Sequence, residues 1–186
     1  MAARDHDFDP DDNFASGFVE HDDGEGLDEA DGDVEVLAWQ WLLRINPGDE
    51  EAAAQQLQAF RDTLGGDDAP EAIRDALEAA TDWRSSFRIA EDARTTLIDA
   101  IDTLAERVRA DIDWDVEDPT DDEALEDTPT MSLLQTAFDQ LRVAGYTLWV
   151  WETGDATVAG VMAPREDDEG MRVLAHALGL ELRPAG

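Results

Sequence analysis

Apolar residues recur at helical spacing in the first half of the folded region. Val34, Leu37, Ala38, Trp41, Leu42 and Ile45 share one face, and Val36, Trp39 and Leu43 make the opposite side apolar too. That pattern predicts a helix buried on most of its circumference. Asn46-Pro47-Gly48 ends it. Asp49 and Glu50 then open a second helix at the positive end of its dipole, with Ala53, Leu57, Phe60 and Leu64 inward and Gly65-Gly66 as its stop. A third helix begins near Pro70 and turns Ile73, Ala76, Leu77 and Ala80 inward.

The period then changes. Residues 83–90 (WRSSFRIA) alternate loosely and predict a short strand. Residues 91–109 return to helical spacing, with Leu97, Ile98, Ile101, Leu104, Ala105 and Val108 on one face. Residues 111–117 (DIDWDVE) alternate strictly: Ile112, Trp114 and Val116 one way, Asp111, Asp113, Asp115 and Glu117 the other. This period of two predicts a strand with one acidic face. An acidic loop broken by Pro119 and Pro129 follows, then a helix over 130–144 stopped by Gly145. Residues 146–164 (YTLWVWETGDATVAGVMAP) predict a hairpin turning at Thr153-Gly154-Asp155. A last helix carries Met171, Leu174, Ala175 and Leu178, and residues 180–184 (LELRP) add a short strand.

In the hairpin, Thr147, Trp149 and Trp151 face one way and Leu148 and Val150 the other, so both faces are apolar. Such strands lie inside a sheet covered on both sides. Trp149 and Trp151 are read either as core packing or as an aromatic ligand platform, for which Gly160 leaves room. Strand–helix–strand order favours parallel neighbours. The expected class is α/β, at the boundary with α+β: a single domain over 34–186, with three helices followed by a mixed sheet of about five strands with helices packed against it. Residues 1–33 are expected to be a disordered acidic tail, because their charge and glycine leave too little apolar surface to offset ordering entropy.

Charge changes the picture most. The chain holds 47 acids against 13 basic residues, all arginine, for a net charge of −34. The excess is not confined to the tail. A field of this sign repels nucleic acid and anionic membranes, which argues against both as partners. Basic protein partners and cations stay open, as does acidity that serves solubility alone. There is no cysteine, which removes disulfides and thiolate sites. With no apolar run of signal-peptide or membrane-span kind, the cytoplasm is the expected location.

The acids at Asp113, Asp115, Glu117 and Asp118 form the one dense group of carboxylates beside a predicted strand. Neighbours on one strand face suit magnesium or calcium if the following loop adds oxygens, but the calcium-loop spacing is absent. A solvated acidic face is the alternative. Asp155 at the hairpin turn is a further binding candidate beside Trp149 and Trp151. His6, His21 and His176 form no metal pair, and neither a nucleophile elbow nor a phosphate loop occurs.

The segments WLLRINPGDEEAA, DWRSSF, IDWDVEDP, LRVAGYTLWVWETGDA and REDDEGMRVLAHALGLELRP together resemble an uncharacterised bacterial family, domain of unknown function 6630, over about residues 37–184. The resemblance implies a bacterial α/β domain, often behind an acidic extension, and brings no catalytic residues. It also implies an aromatic after Asp155, where this chain has Ala156 and Thr157. Three readings compete. The first is a non-enzymatic binding protein that engages a basic protein partner; the second is a divalent-metal-dependent enzyme built on Asp113, Asp115, Glu117 and Asp118; in the third the charge serves solubility only and the function is unrelated to it.

Overall fold

The computed structural model describes residues 26–186. Six helices and four strands follow one another as α1 (Gly26–Ile45), α2 (Glu50–Leu64), α3 (Pro70–Ala80), β1 (Ser86–Ala90), α4 (Arg94–Arg107), α5 (Thr130–Ala144), β2 (Tyr146–Glu152), β3 (Thr157–Pro164), α6 (Asp168–Ala177) and β4 (Arg183–Pro184). A single 3-10 turn (Arg165–Asp167) leads into α6. The chain is α+β. Helix α1 begins at Gly26, ahead of the Val34 boundary that apolar spacing predicts; the tail expected over 1–33 otherwise lies outside the described residues. No helix among the described residues is long and apolar enough to cross a membrane.

Local chemistry sets several boundaries. The Asp49 carboxylate accepts the Ala52 N–H at 3.0 Å and caps α2, while Gly65 ends it in the left-handed region at φ 60°. Gly145, at φ 93°, does the same for α5.

The sheet corrects the expectation of a mixed, five-stranded arrangement. It has four strands in the order β1-β3-β2-β4, and every neighbouring pair is antiparallel. The crossover logic fails only in adjacency. Strands β1 and β2 both run antiparallel to β3, so the α4–α5 crossover does join strands of like direction. The hairpin returns β3 into the gap between them. In the same way β3 and β4 run alike, joined through α6, with β2 between.

Both sheet faces are covered, as the two apolar faces of the hairpin predict. One core packs Trp149, Val161 and Ala163 against Trp41, Leu42, Ile45, Phe60, Leu77 and Met171 from α1, α2, α3 and α6. The other packs Leu148, Val150 and Met162 against α4 and α5 through Leu97, Ile101, Leu134 and Leu141. Gly160 leaves no room for a ligand: an added Cβ would lie 2.5 Å from Phe87 Cζ, because the Phe87 ring of β1 already fills the space.

The predicted strand over 111–117 does not form. Its burial alternates as expected, with Trp114 buried and Asp113, Asp115 and Glu117 exposed, but it pairs with no strand. Alternation reports which side faces water; a strand also needs a neighbour. Here the Gln140 side chain on α5 acts as one, accepting the Asp113 N–H at 2.8 Å and donating to the Asp113 carbonyl. Asp115 sits at φ 52°, which breaks the extended run. Trp114 Nε1–H donates to the Asp102 carboxylate at 3.1 Å. Burial raises the Asp102 pKa above the ordinary carboxylate value, and the Trp114 hydrogen bond opposes it.

A closed polar network lies inside the fold. Asn46 donates to Gln56 at 2.7 Å, Gln56 donates to Ser85 at 2.9 Å, and Ser85 donates back to Asn46. Arg107 adds a bond to Asn46 at 3.1 Å and another to the Arg84 carbonyl. It ties the end of α1, the middle of α2, the entry to β1 and the end of α4 together.

Candidate functional site

The four carboxylates of the loop after α4 do not assemble a cation site. Asp113, Asp115, Glu117 and Asp118 are all exposed. Asp118 is engaged locally: it accepts the Thr120 hydroxyl at 2.7 Å and the Thr120 N–H at 2.9 Å, and these bonds hold its pKa below the ordinary value. Among the described residues no three His, Asp or Glu side chains converge as a metal-holding group.

The hairpin aromatics part company. Trp149 is 0 % exposed and packs the core, so it offers no ligand surface. Arg172 of α6 lies over its ring, 5.3 Å from the centroid. Its indole N–H has no acceptor among the protein atoms. Trp151 is half-buried against the same core, and its indole N–H is likewise without an acceptor. Asp155 sits at the hairpin tip. The Thr153 and Thr157 hydroxyls both donate to it, and Arg88 pairs with it at 3.3 Å. The Thr153 and Thr157 bonds, then Arg88, lower its pKa to about 2. Asp155 thus closes the turn and anchors Arg88. A cavity of about 780 Å³ lies beside this tip, walled by Arg94, Met131, Trp151, Asp155 and Arg183.

A second, more apolar groove of about 770 Å³ runs along β1. Its floor includes Phe87 and Ile89; one wall is α3 with Asp75, Glu78 and Ala79, and the other is α4 with Thr96, Asp99 and Ala100. These helices lie on opposite faces of the sheet, so a groove that both of them line opens past the strand between. That strand is the sheet edge: β1 pairs only with β3. Trp83, at the entrance, is 67 % exposed. Arg88 crosses the groove but is neutralised by Glu78 at 2.9 Å and by Asp155.

Sequence patterning places β1 but not this groove. Asp75, Glu78, Trp83, Asp99 and Ala100 come from three separate segments, and period alone does not report which strand ends at an edge. The sequence pattern puts Trp83 at the start of the predicted strand 83–90, whereas the structure begins β1 at Ser86 and leaves the Trp83 ring exposed.

The chain matches no curated protein and no solved structure. A family model described as a domain of unknown function, DUF6630, matches residues 37–185. That span takes in α2 to β4, both cores and both walls of the β1 groove, and the chain therefore belongs to the DUF6630 family.

Proposed function

We propose that this protein is a non-enzymatic binding protein that engages a basic protein partner through its acidic surface. One observation carries the reading: several arginines are already engaged by carboxylates or by polar groups of the fold, and a large excess of carboxylate is left over. Arg61 pairs with Glu35 at 2.7 Å, Arg88 with Glu78, and Arg142 with Asp168. Arg107 is turned onto Asn46 and the Arg84 carbonyl. With a net charge of −34, the uncompensated charge is carboxylate. Carboxylates in excess steer cationic surfaces toward the protein and discourage anionic ones.

The test is association with a cationic globular protein and with its succinylated, charge-reversed form, followed by light scattering and calorimetry. The cationic form should bind at about 50 mM salt and weaken at least about tenfold at about 300 mM, where the Debye length falls below roughly 6 Å. The succinylated form should not bind. Equal affinity for both forms, or no binding of either at low salt, refutes the proposal.

A further inference from the structure

We infer that the groove along β1 receives an extended basic peptide segment of the partner, which joins the sheet as a new strand beside β1. This rests on the proposed basic partner and adds to it a place and a binding mode.

The backbone of β1 is set up for such pairing. Glu91 N–H donates to the Ala156 carbonyl at 3.0 Å, continuing the register in which Ile89 faces Val158 and Phe87 faces Gly160. In an antiparallel ladder, alternate residues point their N–H and C=O to the same neighbour. Phe87, Ile89 and Glu91 therefore turn theirs to β3. Arg88 must turn both its N–H and C=O outward, and Ala90 its N–H. The Ala90 carbonyl is already used by Ala93 N–H at 3.0 Å. Three edge groups thus face the groove in the spacing that an added strand takes.

Edge strands in stable proteins are covered, bulged or blocked by charge, because an open one recruits other chains. Here α3 and α4 wall the edge without covering it. An incoming strand would place alternate side chains against the two walls, since successive residues point to opposite faces. Each wall carries carboxylate: on α3 Glu78, which is held by Arg88, and Asp75, which lies 3.6 Å from Arg74; on α4 Asp99, with three acids against the one arginine in the lining. Apolar stems would lie on Phe87, Ile89 and Ala100, with cationic heads at the rim, a distribution that arginine and lysine suit. Main-chain bonds would supply affinity and the walls would supply selection.

Charge chooses the occupant. A second copy of this chain brings −34 to the same acidic rim, and the chain's own first 25 residues are themselves strongly acidic. Both meet repulsion where a basic segment meets attraction.

The probe is a labelled peptide alternating arginine and valine, about eight residues long to span β1 with overhang. Three comparison peptides accompany it: one with alternate backbone amides N-methylated at unchanged charge, one alternating glutamine and valine, and one copying residues 1–25. Binding is read by anisotropy on the full chain, and the edge by residue-resolved amide exchange. The arginine peptide should bind and slow exchange at Arg88 and Ala90 at least about tenfold, while N-methylation on the pairing side should weaken it at least about tenfold. Ala90→Pro removes an outward N–H without touching the ladder to β3, so it should keep the melting curve and lose peptide binding. Asp75→Asn with Asp99→Asn should weaken the arginine peptide and leave the fold intact.

If the arginine peptide binds but its N-methylated form binds equally and Arg88 and Ala90 gain no protection, strand addition is wrong while the acidic-surface reading stands. If neither binds the chain at low salt, and the cationic globular protein fails as well, both are wrong. Equal binding by the glutamine peptide, protection by the 1–25 peptide, or protection that grows with protein concentration alone would overturn the assignment of a basic occupant.

Discussion

Replacing Trp149 tests the central sheet more sharply than any other single change. The ring is 0 % exposed, held between β2 and helices α1 and α6, and its indole N–H has no protein acceptor. Trp149→Ala removes the whole ring from a packed site and should cost about 3–5 kcal/mol. Trp149→Phe separates two effects. It opens a void of roughly 40 Å³, which at about 24 cal/mol per Å³ costs about 1 kcal/mol, with a comparable transfer loss. It also deletes a buried donor whose unsatisfied state costs about 1–3 kcal/mol. The two nearly cancel, so Trp149→Phe should lie within about 1 kcal/mol of the parent. Weakening the stack with Arg172 subtracts a few tenths at most, since that guanidinium is more than half exposed. The assay is urea unfolding followed by far-ultraviolet circular dichroism, with midpoints compared at constant slope. If Trp149→Phe loses as much as about 3 kcal/mol, the indole N–H has a partner in solution and the cancellation argument fails.

Three further outcomes follow from the same structure. Gly160→Ala drives a methyl to 2.5 Å from Phe87 Cζ and 2.7 Å from the Trp149 carbonyl; it should cost about 1–3 kcal/mol in the same melt, with partial recovery when combined with Phe87→Leu, and a neutral result would show that the edge strand yields freely. Asn46→Ala strands Gln56, Ser85 and Arg107 inside the fold, so a loss of about 2–3 kcal/mol is expected, and one below about 0.5 kcal/mol would show the network to be dispensable. Asp155 has its pKa lowered to about 2 by Thr153, Thr157 and Arg88. A depressed carboxylate stabilises the fold above its unfolded pKa and loses that effect as pH falls through the folded value. The melting difference between the parent and Asp155→Asn should therefore be constant near neutrality and shrink between about pH 4 and pH 2; a difference unchanged across that window would contradict the bonding at the hairpin tip.

Much of this architecture is written in the sequence. Helix α5 starts and stops at Thr130 and Ala144, as Pro129 and Gly145 dictate. The hairpin turns where Thr153-Gly154-Asp155 places it. The apolar faces of β2 point to a sheet covered on both sides, and Trp149 lies in that core. These are local facts, since periods of 3.6 and 2 and the backbone freedom of glycine are written in neighbouring residues.

What the tertiary structure decided is who stands beside whom. Strand β3 returns between β1 and β2, which turns an expected mixed sheet into an antiparallel one. Residues 111–117 alternate as a strand would, yet Gln140 serves where a partner strand was expected. Leu125, in the middle of an acidic loop, is wholly buried in the core beneath α4 and α5. The β1 groove joins Glu78, Trp83, Phe87 and Asp99 from separate segments, and it exists only because β1 ended at the edge. Hydrophobic period reports how much of a residue meets water. It carries no information on which strand supplies the neighbouring hydrogen bonds, because that choice belongs to the packing of the whole chain.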